Sequence, residues 1–325
     1  MKSNERLVQY YDLMIFGKTR TRDIKHRLNS PRTLDELMGD FAGLREKNLA
    51  RKRLTGKSKY EYQLEDMAEQ EDSWVLLVNV VDGQAAHPVT QKLGGTKEDR
   101  KVVELGNDRG LESSTHIVIY KDQDKAKKHL VLYEKAGGLS PMKAAVFLSH
   151  LARLAAKTFP NEYSKPHPGG AANKMINVYC DFELLGHPSD EFRAELDEGV
   201  IADLRLTSDA DIIKGYDSNS FPELISTEIK MKVSLLDVAL AGGNWSYLQK
   251  AIKYADTLDA PFVRISFRDH SNTSHTAILS SDTGQMWNAE RYVKKRRIVG
   301  FDNSLRTAFP NIHEGIVRKM MELLV

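Results

Sequence analysis

Residues 110–140, GLESSTHIVIYKDQDKAKKHLVLYEKAGGLS, decide how the rest of the chain is read. Two runs rich in β-branched and aromatic residues, Thr115–Tyr120 and His129–Glu134, flank the polar segment Lys121–Lys128. That pattern predicts two strands joined by a hairpin tip. The tip is cationic, because Lys121, Lys125, Lys127 and Lys128 fall within it. After the second strand the chain passes through Gly137-Gly138 to Ser140-Pro141. A serine N-cap followed by proline predicts a helix start there, since the first helical N–H needs no intrahelical partner. Met142, Ala145, Val146, Leu148, Ala152 and Ala155 supply an apolar, alanine-rich face, and Phe159-Pro160 ends the helix.

Toward the N-terminus, Ser73–Val81 (SWVLLVNVV) is almost continuously apolar, as expected of a strand covered on both faces. Tyr60–Met67 is its expected partner, Asp82-Gly83 is a turn, and Leu7–Phe16 reads as a first strand. Leu34, Leu37, Met38, Phe41 and Leu44 recur at helical spacing, and Thr33 with Glu36 has the form of a capping box. This helix is expected to run out into a loop carrying Arg51, Lys52, Arg53 and Lys57.

Toward the C-terminus, 161–174 contains Pro166, Pro168 and Gly169-Gly170 and reads as a linker or loop. Strands are expected at Met175–Phe182, Val200–Leu206, Leu224–Leu235, Phe262–Phe267 and His275–Ser281, and the basic segment within Trp287–Val299 reads as an edge, a protruding ribbon or a loop. Helices are expected at Ser189–Leu196, near Tyr247–Leu258 and after Pro310. The last would be capped by Asn311 and Glu314 and bury Ile312, Ile316, Val317, Met320 and Leu324. Groups of strands broken by single helices predict an α+β fold: antiparallel sheets with a few packing helices. Two sheet-plus-helix halves are expected, 1–160 and 175–325.

Composition excludes several classes. No apolar run approaches the roughly 18 residues of a membrane span. MKSNERLVQYYDLMIFG lacks a signal peptide's apolar stretch, so a cytoplasmic chain is expected. Cys180 is the single cysteine, which rules out an internal disulfide and a thiolate zinc site. There is no G-x-G-x-x-G after a strand, no Walker loop, no H-E-x-x-H and no G-x-S-x-G. No cofactor or metal site is expected, and His116 and His129 read as hydrogen-bonded or exposed strand imidazoles.

With a formal net charge of +2, any nucleic-acid footprint must come from clustering. Three segments cluster cations: Arg51, Lys52, Arg53 and Lys57; Lys125, Lys127 and Lys128; and Arg291, Lys294, Lys295, Arg296 and Arg297. Acid collects elsewhere, at Glu65–Asp72 and Asp190–Glu198. Such a distribution predicts nonspecific, salt-sensitive contacts to the phosphates of double-stranded DNA. Two other readings stand beside it. Asp217 followed by Glu228-x-Lys230 has the form of a metal-dependent nuclease site, although a half-solvated strand alternates in the same way. A protein-interaction scaffold with incidental basic patches is the third. Binding is expected over catalysis.

Several passages share their order with a known family: WVLLVNVVDG with AAHPV, GLESSTHIVIY, HLVLYEKAGGLS, and VRISFRD with a C-terminal helix. From Tyr60 to the C-terminus the chain resembles the RexA-type phage exclusion proteins, which are prophage-encoded defence factors. The resemblance implies a homodimeric, nonspecific DNA-binding protein with an α+β domain like that of the recombination-associated protein RdgC. It also implies a sensor or adaptor role in antiphage defence, with a small membrane protein as effector. It supplies no catalytic residues. The proposed DNA contacts come from clustering alone.

Overall fold

In the computed structural model of the chain, the described residues are 4–21, 24, 27–54, 59–106, 108–124, 127–169, 174–207, 228–258, 260–287 and 290–324. They fold into two units, one of Met1–Val8, Leu13–Leu184 and Arg296–Val325, the other of Gln9–Asp12 and Leu185–Lys295. The fold is α+β. Among the described residues no helix is long and apolar enough to cross a membrane.

The first unit begins with strand β1 (Glu5–Lys18), the short β2 (Leu28–Asn29) and helix α1 (Leu34–Glu46). Thr33 caps α1 in a full capping box with Glu36, as the local pattern predicts. Lys47 and Asn48 end the helix, Asn48 with φ +57°, and the chain then enters strand β3 (Arg51–Arg53) where a loop was expected. Next come β4 (Tyr60–Glu69), β5 (Ser73–Asp82), the short pair β6 (Val89–Thr90) and β7 (Lys101–Val102), β8 (Leu111–Gln123) and β9 (His129–Glu134). Strands β3–β4, β4–β5, β5–β8 and β8–β9 are antiparallel neighbours. The hairpin of the opening stretch is therefore real, with Ile117 opposite Tyr133 and Val118 opposite Leu132. Helix α2 (Pro141–Thr158) follows, capped by Ser140 with proline in its first turn. Strands β10 (Ser164–Pro166) and β11 (Met175–Asn177) pair with each other, so the stretch read as a linker holds structure within this unit. Strand β12 (Tyr179–Gly186) completes the sheet order β12-β1-β9-β8-β5-β4-β3.

Val75–Val80 is buried at every position, which requires cover on both faces of the sheet. On one face Phe147 of α2 meets Tyr62, and the Tyr133 hydroxyl donates to the Leu139 carbonyl. On the other lies the C-terminal segment. Phe309 N–H donates to Ser114 Oγ, Asn79 donates to the Phe309 carbonyl, and His313 N–H donates to His116 Nε2. His116 is fully buried, and its Nδ1 sits 2.6 Å from Glu134, which also pairs with Arg6. Its ring is a structural link, as its strand position suggested. Each large apolar side chain so enclosed contributes about 1.5–3 kcal/mol.

The second unit opens with α3 (Asp190–Glu198), capped by Ser189, and β13 (Val200–Thr207). Then come β14 (Glu228–Met231), α4 (Leu235–Ala241), α5 (Asn244–Thr257), β15 (Phe262–Arg268) and β16 (Ser274–Ser280). The strand expected to reach Leu235 stops at Met231, and Leu235 starts a helix. The sheet order is β14-β13-β15-β16, all antiparallel. A bulge between Ile201 and Asp203 adds one residue to β13. It puts Ile201 in phase with Leu204 and Leu206, so all three enter the core with Phe192, Leu248 and Phe267. Asp203 and Arg205 are left facing outward.

The chain then returns to the first unit through β17 (Lys295–Val299), which pairs with β1, and α6 (Glu314–Met321). Upstream of β17, Glu290–Tyr292 is a 3₁₀ turn. His313, rather than Asn311, caps α6 by accepting the Ile316 N–H. Ile316, Val317 and Met320 are buried, Ile312 is half-buried and Leu324 is exposed.

Candidate nucleic-acid interface

Strand β3 is the last of its sheet, and its Arg-Lys-Arg sequence is typical of a charged edge. Helix α2 packs beside it. Lys143, Val146, His150, Arg153 and Lys157 follow one another at steps of three and four and form the outward stripe of that helix. Ala144, Phe147, Leu148, Leu151 and Ala155 form the buried one. Met142 and Val146, expected in the apolar face, are exposed.

The His150 Nε2–H donates to the Arg51 carbonyl at 3.3 Å and ties the helix to the edge strand. A carbonyl can only accept, so this bond fixes the imidazole tautomer. The ring is held below the usual histidine range by burial first and by Lys52, Arg153 and Lys157 besides; the Arg51 carbonyl opposes them. Burial and the Arg153 guanidinium likewise lower Lys52. Among the described residues Lys52, Arg53, Lys143 and Lys157 have no carboxylate partner. Asp181 borders the face and holds Arg153 at 3.2 Å and Lys18 at 2.5 Å, while Glu61, 3.8 Å from Arg51, alternates to the other face of the sheet. Tyrosines orient two of the cations, Lys143 over Tyr60 and Arg153 over Tyr179, each about 5 Å from the ring centre. The result is a cluster of basic groups in which Lys52 and His150 are half-buried and Lys143, Arg153 and Lys157 are exposed. Such a cluster favours an anion.

The other cationic segments are placed differently. At the hairpin, Lys121 pairs with Glu69 at 2.7 Å, and Lys128 is only 8% exposed with its ammonium 3.3 Å from Asp124. Lys127 is exposed in a left-handed turn, φ +57°. Lys125, like Lys57, lies outside the described residues. In the third segment Arg291 pairs with Glu195, Arg297 pairs with Glu5, and Lys294 lies over the Tyr10 ring. Lys295 donates to the Arg291 carbonyl, and Arg296 is exposed. Of the first segment, Lys52 and the Arg51 carbonyl thus meet α2, whereas the Arg51 and Arg53 side chains alternate to the other face of β3. The residues of the hairpin and of 291–297 are largely matched by acids or rings of their own surroundings.

For the nuclease reading, Asp217 lies outside the described residues. Glu228 receives both of its contacts from the Arg205 guanidinium, at 3.1 and 3.2 Å, and Lys230 stands 3.5 Å from Asp203. Both residues of the Glu-x-Lys pair are engaged by opposite charges on an outer sheet face.

Glu195, Asp269 and His275 bring ligand-type atoms within 4.8 Å of one another. Their chemistry is already complete. Asp269 accepts from the Ser271 hydroxyl and His275 Nε2, and from the Ser271 and Thr273 N–H groups, which holds its carboxyl well below the usual range. Glu195 accepts from Tyr292 and Arg291, and Arg291 also faces His275 Nδ1 at 3.4 Å. The guanidinium supplies the positive charge this acid set needs. Cys180 is buried against Ser30 Oγ, and burial pushes its thiol up to about 11, the behaviour of a core residue.

Lys143, His150, Arg153 and Lys157 are the residues of the candidate face that the sequence reading passed over. Their signal was present as a three-four spacing of cations opposite the apolar face of a well-capped helix. The edge position of β3, which makes that spacing matter, is a long-range pairing. In comparisons with protein-family models, curated proteins and solved structures, nothing matches this chain.

Proposed function

We propose that this chain binds double-stranded DNA nonspecifically, through phosphate contacts from the β3–α2 face. One observation carries the reading: Lys52, His150, Arg153 and Lys157 are held together at a sheet edge where helix α2 packs on β3. Keeping like charges together costs free energy in the free protein, and a polyanion offsets that cost. The groups on offer are ammonium and guanidinium ions that reach phosphate oxygens and carry little base information. A sensor or adaptor role in phage exclusion, as a homodimer with a small membrane-protein effector, fits the resemblance of the segments from Tyr60 onward and belongs to the same proposal.

Binding of a fluorescent mixed-sequence duplex, followed by anisotropy between about 50 and 200 mM salt, tests it. The logarithm of affinity should fall linearly with the logarithm of salt, by about 0.9 for each phosphate contact. The duplex should remain intact with magnesium or manganese present. Salt-independent binding, or metal-dependent cutting lost in Glu228→Ala, would overturn the proposal.

A further inference from the structure

We infer that His150 is a proton-linked phosphate ligand, so that the β3–α2 face takes up a proton as it closes on a DNA phosphate. The inference rests on the DNA-binding reading and adds a pH control that the reading does not require.

Tautomer and placement carry it. His150 Nε2 must keep its proton to serve the Arg51 carbonyl, so in the neutral ring Nδ1 bears a lone pair. No described group is hydrogen-bonded to Nδ1. The residue itself is half-buried, on the outward stripe of α2. A phosphate oxygen arriving there meets a lone pair and is repelled. Add a proton, and the same atom becomes a charged donor.

The surroundings decide when that proton arrives. From β3 the ring faces Lys52 and the Arg51 backbone, and from its own helix it faces Arg153 and Lys157. The carboxylate bordering this face, Asp181, is engaged with Arg153 and Lys18. In the free protein burial, and after it these cations, keep the ring neutral to a lower pH than usual. A bound phosphate reverses the local field and raises the affinity for the proton. The sign follows by linkage: a group whose proton affinity rises on binding strengthens binding as pH falls. The gain begins at the proton affinity of the bound state and levels off below that of the free state, under the ordinary histidine value of about 6.5.

The test is duplex binding by the full chain at constant ionic strength, from about 1.5 pH units above to about 1 unit below that ordinary value. Wild type should bind up to about tenfold more tightly per pH unit on descending through the window. His150→Gln, which keeps a donor for the Arg51 carbonyl, should lose that slope. Following the His150 ring proton by NMR in the wild type provides a measurement independent of any variant. Its titration should move to higher pH when duplex is added. Equal pH slopes in wild type and His150→Gln, or an unmoved His150 titration in the complex, overturn the inference while leaving DNA binding in place. Absence of duplex binding at every pH overturns the DNA-binding reading and this inference together.

Discussion

Two cationic segments that look alike in sequence, Arg51–Arg53 and Lys294–Arg297, have opposite surroundings. The second is absorbed by its own unit's rings and acids or by neighbouring strand ends: Lys294 over Tyr10, Lys295 on the Arg291 carbonyl, Arg297 on Glu5. The first lies at a sheet edge against a helix that adds Lys143, His150, Arg153 and Lys157, and among the described residues Glu61 pairs with Arg51 and Asp181 with Arg153. A basic run is therefore no measure of binding capacity. What counts is whether nearby carboxylates leave charge over, because exposed pairs contribute little and leave little field. A third grade lies inside the first unit, where Arg6 and Glu134 are withdrawn from water altogether, at 2% and 1% exposure.

Each grade can be broken separately. The largest effect belongs to the buried one. Glu134→Ala strands Arg6 and His116 in the interior and should cost about 3–5 kcal/mol in a denaturant titration. Glu195→Ala should cost less, about 1–3 kcal/mol, by removing the acceptor of the buried Tyr292 hydroxyl and the partner of Arg291. It should leave duplex affinity unchanged, and a large loss of affinity would mean that the second unit grips DNA. A smaller signal comes from Cys180, next to the Asp181 that holds Arg153. Its raised, buried thiol should react with thiol reagents at pH 8 only at the rate of unfolding, and rapid native labelling would show that this part of the first unit opens locally.

Much of the fold was legible because much of it is local. The capping box at Thr33, the Ser140-Pro141 start and the β8–β9 hairpin need only neighbours within a few residues, and all three form. Long-range bonds decided the rest. Trp287–Val299 alternates like a strand, but the Ser189 N–H donates to the Tyr292 carbonyl while the Tyr292 hydroxyl reaches Glu195, and the chain turns there. Leu235 and Leu236 extend an apolar run that resembles a strand, yet Ser234 precedes a helix closed by Gly242 at φ +91°, a conformation glycine adopts freely. The candidate interface was half visible. Arg51–Arg53 stood out as a run, whereas His150, Arg153 and Lys157 were spread through a helix read only for its apolar side.

The comparison of Arg51–Arg53 with Lys294–Arg297 is tested most directly by measuring the salt dependence of duplex binding for wild type and two triple variants. Lys52→Gln with Lys143→Gln and Lys157→Gln removes from the β3–α2 face three cations that have no carboxylate partner among the described residues. Lys294→Gln with Lys295→Gln and Arg297→Gln removes three cations from the absorbed segment. The first should flatten the logarithmic salt slope by about 2.7, at 0.9 for each lost contact, with stability held within about 0.5 kcal/mol. The second should leave the slope at its wild-type value. Equal losses in both variants, or a loss confined to the second, would contradict the account.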